Sequence, residues 1–221
     1  MPSVKIPRKS TATDMTPFVD VAFLILAFFM LATKFKPPSP IQITTPKSVS
    51  SDKLKQQDAV VIEFDSTGRV FFTLQTEKMQ EDDLNRKRQL LANVSKDRNL
   101  GLSGAQIDEF AKMPITIGSP FNEVKSFFDV PIDRRGTFAL KGIPVDSADN
   151  QLTTWITNAK IAFAGKKLNY MIKGDNNAKY PSFKGVIEAM RRSDEYKYQL
   201  ITDPEGVPPG TAEYTRRQIE N

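Results

Sequence analysis

One carboxylate in this sequence stands where a charge is costly. Asp20 interrupts an otherwise apolar run from Met15 to Thr33, MTPFVDVAFLILAFFMLAT. An Asp at the centre of a membrane helix costs roughly 2.5–3.5 kcal/mol, and less toward an end, where Asp20 lies. An acid so placed is expected to face protein or a water-filled path, and to be neutral in one conformation and charged in another, as proton coupling requires. At helical spacing Thr16 falls four residues before it, Ala27 seven after and Leu31 eleven after, so these share its face. Thr16 offers the carboxyl a hydrogen bond, and Ala27 lets a neighbouring helix come close. Pro17 sits in the first turn, where a missing N–H costs little. The alternative is an Asp20 that snorkels to the interface and only sets the depth of the helix.

The element that must position Asp20 is therefore a membrane helix. Nineteen residues at about 1.5 Å each span roughly 28 Å, close to the hydrocarbon thickness of a bilayer. Lys34 and Lys36 mark its far edge, and Pro37-Pro38 stops it. Lys5, Arg8 and Lys9 against Asp14 favour a short N-terminal tail in the cytoplasm and residues 34–221 outside it, with Lys34 and Lys36 a weaker pull the other way. A cleaved secretory signal is the other reading; Asp20, Pro17 and the absence of a small-x-small site near Ala32-Thr33-Lys34 weigh against it. One helix cannot enclose a proton path, so helices from a second copy or another subunit must surround it.

Composition narrows the rest. Mean hydropathy is −0.38 and 26% of residues are charged, so most of the chain is built for water. The net charge is +5, yet Glu81-Asp82-Asp83 is followed by Arg86-Lys87-Arg88, and no basic stripe with interleaved aromatics emerges; nucleic acid is not a partner. With no Cys and no His, thiol or imidazole zinc sites, Cys nucleophiles and His-based triads are excluded. Gly165-Lys166 lacks the earlier glycine and the following Ser or Thr of a phosphate loop. Asp65-Ser66-Thr67-Gly68 reads as a turn, and Asp175-Asn176-Asn177 as a solvated loop rather than a cation site. The chain is not read as an enzyme, and no cofactor or metal is expected beyond the proton as coupling ion.

Along the chain, residues 1–13 form a basic tail, 14–33 the helix and 34–57 a Pro-rich linker. Residues 58–203 form an α+β domain with an insertion at about 79–148, and 204–221 a tail. AVVIEF (59–64) and RVFFTL (69–74) around a polar turn predict a hairpin. Leu84, Leu90, Leu91 and Val94 predict a helix over 80–97, and Ser119-Pro120 caps a short one. Further helices over 150–163 and 180–192 alternate with strands at 168–174 and 198–202. That order predicts a small α+β domain with helices on one face of a sheet.

These pieces match a known family: the chain resembles the ExbD/TolR biopolymer transport proteins. Asp14-Met15-Thr16-Pro17-Phe18-Val19-Asp20-Val21, opening a membrane helix after a basic tail, carries the likeness. A second match is YMIKGDNNAKYPSFKGVIEAMR (170–191). The resemblance, closest to ExbD, implies a motor subunit driven by the proton motive force, with Asp20 as the titrating aspartate and Thr16-Pro17 as its neighbours. It implies a homodimer, an ExbB- or TolQ-like multi-helix membrane partner and a TonB- or TolA-like periplasmic transducer. Residues 79–148 exceed the usual domain. The alternatives are a TolR-like envelope-integrity role and a membrane-anchored periplasmic scaffold without proton coupling.

Overall fold

The computed structural model describes residues 15–32, 41–49, 58–76, 80–113, 115–206 and 209–211. The basic tail, Asp14 and the Lys34–Pro38 boundary lie outside the described residues, as do the side chains of Leu31 and Ala32. The chain divides into two units, Met1–Ser39 and Pro40–Asn221.

The first unit holds helix α1, Thr16–Ala32. Its residues are apolar around the whole circumference apart from Thr16 and Asp20, so no single stripe dominates. Of the segment 14–33 expected to be a membrane helix, Thr16–Ala32 is helical, seventeen residues or about 25 Å of rise. Among the described residues no helix is long and apolar enough to cross a membrane.

The second unit contains β1 (Lys47–Ser48), β2 (Ala59–Phe64), β3 (Val70–Gln75), α2 (Glu81–Asp97), α3 (Gly104–Lys112), β4 (Thr116–Ile117) and α4 (Phe121–Asp129). A 3-10 turn (Ile132–Thr137), α5 (Gln151–Ala162), β5 (Asn169–Gly174), α6 (Tyr180–Arg192), β6 (Gln199–Ile201) and β7 (Asp203–Pro204) follow. The five-stranded sheet has the order β4-β3-β2-β5-β6. β3 lies antiparallel to β2 and β4, and β5 parallel to β2 and β6, so the sheet is mixed.

Alternation along the strands decides where the core forms. Val60, Ile62 and Phe64 of β2 join Val70, Phe72 and Leu74 of β3 and Tyr170 and Ile172 of β5 in one cluster with α2 to α6. Ala59, Val61 and Met171 point to the opposite face and form a smaller cluster. Helices thus cover one face of an α+β sheet. Trp155 of α5 is fully buried, stacked between Phe72 and Phe121 at centroid distances of 5.7 and 5.9 Å.

The segment read as an insertion is part of this core. Leu90, Leu91 and Val94 of α2 are fully buried in it, and β4 adds a strand beside β3. The expected Ser119 cap is corrected by one residue: α4 starts at Phe121, and the Gln151 side chain accepts the Phe121 N–H at 2.9 Å. Two boundaries also move. Lys47–Ser48, assigned to the linker, and Asp203–Pro204, at the edge of the tail, pair as parallel strands β1 and β7. Backbone hydrogen bonds join the two segments: Asp203 N–H donates to Pro46 O and Glu205 N–H to Ser48 O.

Candidate proton-coupling site

α1 begins where Val19 N–H donates to Met15 O at 3.0 Å, the first bond of the helical ladder. Pro17, two positions earlier, loses an N–H that the first turn leaves unbonded in any case. At about 100° per residue Thr16 and Ala27 lie within roughly 40° of Asp20 around the axis, and Pro17 within about 60°. The four expected site residues therefore share a face. Asp20 is the only formal charge on the helix.

Exposure defines what this helix can do. Phe18, Phe23, Phe28 and Met30 are each 66–69% exposed, and every described side chain of α1 is open except Ala27, which is half-buried. An apolar helix open on all sides is built to be covered, and Asp20 is the one group on it able to exchange a proton.

The α+β unit holds charged clusters of another kind. Asp65 is 4% exposed and turns the β2–β3 hairpin, with Gly68 supplying a φ of +90°. Its Oδ1 accepts from Thr67 N (3.0 Å), Thr67 Oγ1 (2.7 Å) and Arg69 N (2.9 Å), and its Oδ2 from Arg69 Nε (2.7 Å). Burial pushes its carboxyl up, but the bonds from Thr67 and Arg69 and the Arg69 charge outweigh it and hold the group below the usual carboxylate range. At the start of α2, buried Asp83 pairs with Lys166, whose ammonium that hydrogen bond holds above its ordinary value. Lys87, buried a turn later, is pushed down by desolvation against the pull of Asp83. Neither cluster joins a nucleophile to a base. Asp175, weighed in sequence as a cation ligand, is taken up by the backbone N–H groups of Thr44 and Asn177. Among the described residues no group of acids could hold a metal ion.

Lys87 and Lys166 were not legible as structural residues, because their shared partner Asp83 is far from Lys166 in sequence and close only after folding. The sole hint was a lysine at helical spacing from an acid, Asp83 and Lys87.

The family model for the biopolymer transport protein ExbD/TolR matches residues 7–205. The chain belongs to the ExbD/TolR family. No curated protein and no solved structure matches it. The matched range takes in α1 with Asp20 as well as the unit from β1 to β7, and the 79–148 segment lies inside it. ExbD/TolR proteins are inner-membrane-anchored, non-enzymatic subunits that couple energy to biopolymer transport. They work with ExbB- or TolQ-type and TonB- or TolA-type partners.

Proposed function

We propose that this chain is a proton-motive-force-coupled motor subunit of an ExbB-ExbD-TonB-like complex, and that Asp20 takes up and releases the coupling proton. The observation that carries the reading is the placement of a single carboxylate on a helix otherwise apolar all round and open to partners. In this reading α1 crosses the inner membrane once, with the N-terminus in the cytoplasm. Seventeen helical residues are at the lower end of the roughly 17–25 that a span needs, and flanking lysines can reach the interface. The helices of an ExbB- or TolQ-like partner, with a second copy of this chain, would enclose Asp20. Ala27 then supplies the close approach, and Thr16 and Pro17 shape the turn before the acid.

Proton entry neutralises Asp20 and removes the cost of its charge in a dry surround; release restores it. The membrane potential supplies about 2.3 kcal/mol per charge per 100 mV for biasing the two states. Work then passes through the α+β unit to a TonB- or TolA-like transducer. No cofactor takes part beyond the proton.

Asp20→Asn keeps size and polarity but cannot titrate. Energised transport or envelope function is expected to fall to background while the variant still co-purifies with its multi-helix partner; retained activity would overturn the proposal.

A further inference from the structure

The last turn of α6 presents two arginines and an open aromatic ring to solvent. Val186, Ala189 and Met190 face the core, so Glu188, Arg191 and Arg192, at i, i+3 and i+4, fall on the outer side. Ser193 N–H donates to Ala189 O and Met190 O, and Glu195 N–H to Met190 O, while Asp194, at a φ of +56°, turns the chain back. Tyr196 thereby returns beside the helix end, and with Glu188, Arg191 and Arg192 it lines an open cleft of about 320 Å³. Arg192 Nη2 donates to Ser147 O at 3.0 Å and lies 4.0 Å from Glu188 Oε2, to which Ser147 Oγ donates at 3.4 Å. The loop holding this pair is seated tightly: Asn150 Nδ2 donates to Gly185 O at 2.8 Å, and a Cβ at Gly185 would come within 2.5 Å of Val145 O. Arg191 makes no ion pair or side-chain hydrogen bond among the described residues, and Tyr196 is 68% exposed. The helix dipole accounts for cations in a last turn; it does not account for a free guanidinium beside an open ring.

We propose that this cleft docks an acidic, extended segment of a partner protein, with Arg191 anchoring a carboxylate side chain and Tyr196 covering its apolar neighbour. Charge decides the class of occupant. Glu188 balances Arg192, which leaves one uncompensated cation among the lining residues, the match for a monoanionic carboxylate rather than a dianionic phosphate. A guanidinium offers that carboxylate two parallel N–H donors. Shape points the same way, since an open cleft receives one side chain of a passing chain and does not enclose a free small molecule. Arg and Tyr are also the residue types that carry much of the binding energy at protein interfaces. Past the cleft, the alternate positions Tyr198 and Leu200 along the outermost strand β6 are 38% and 53% exposed, and they continue the apolar path for residues flanking the acid. The site belongs to the α+β unit alone and is independent of whether Asp20 carries protons.

The test uses the full chain in nanodiscs of zwitterionic lipid, with its tyrosines replaced by meta-fluorotyrosine and the Tyr196 fluorine signal assigned from Tyr196→Phe. The probe is the end-blocked peptide Ser-Pro-Glu-Phe-Ser, compared with Ser-Pro-Gln-Phe-Ser and with acetate. The Glu peptide is expected to shift the Tyr196 signal saturably, and the Gln peptide to bind about tenfold more weakly or worse. Arg191→Gln should weaken the Glu peptide by about the same factor and Arg191→Lys by less. Thermal midpoints should not change, because the Arg191 side chain holds no partner within the fold. The docking site is overturned by any of four results: no saturable shift, equal binding of the Glu and Gln peptides, an unchanged response in Arg191→Gln, or acetate as effective as the Glu peptide, which marks an adventitious ion only. A shift produced by anionic lipid in the disc and not by the peptide would overturn it as well.

Discussion

Asp20 and Asp65 show the same chemical group put to opposite uses. Asp65 sits under a fixed set of donors and is held ionised, so its role is to fasten the β2–β3 turn. The sign of its pH dependence follows. With the folded carboxyl below its unfolded value of about 3.9, its contribution is complete above that value and is lost as pH falls through the lower folded one. Asp65→Ala is expected to destabilise the α+β unit by about 1.5–3 kcal/mol at neutral pH. Urea midpoints should show that difference shrinking below about pH 4. Asp20 has no such donor set among the described residues; in the proposed function its surroundings come from partner helices. Sequence sufficed to single out Asp20, because a charge in an apolar run is visible without coordinates. Asp65 read as a turn, and its depth of burial did not show.

At the scale of elements, the long patterned segments were legible and the short ones were not. The hairpin, α2, α5, β5, α6 and β6 each announce themselves by alternation, helical period or a proline at the start. β1, β4 and β7 are two residues each, too short for a period-two pattern to register, and exist only through partners distant in sequence. α3 did leave a signal: Ser103 and Gln106 form a reciprocal capping box, the S-x-x-Q signature of a helix start. The fit between elements is tight where β2 meets β5. Phe64 pairs in register with Gly174, and a Cβ there would approach the Phe64 ring to 2.2 Å. The ring is backed by Phe183 at 6.2 Å. Gly174→Ala is therefore expected to cost about 1–3 kcal/mol, read as a lower thermal or urea midpoint. At the same sheet, Trp155→Ala removes the ring stacked between Phe72 and Phe121 and should cost about 3–5 kcal/mol.

For the whole molecule, the family places both α1 and the α+β unit in one transport-coupling subunit, and the proposed division of labour gives each a separate test. Replacing residues 15–33 by an unrelated apolar helix preserves a tether but removes Asp20 and its face. Energised function is expected to vanish in that chimera, whereas a scaffold would survive. Returning Asp, Thr and Ala at the spacing of Thr16, Asp20 and Ala27 should restore part of it if the face is what the partner helices read. The most direct measurement is infrared difference spectroscopy of the assembled complex in membranes as the pH on the periplasmic side is stepped. The account predicts a protonated-carboxyl band that gains and loses intensity with the step and is absent in Asp20→Asn; a band that persists in Asp20→Asn, or no change with pH, would contradict it.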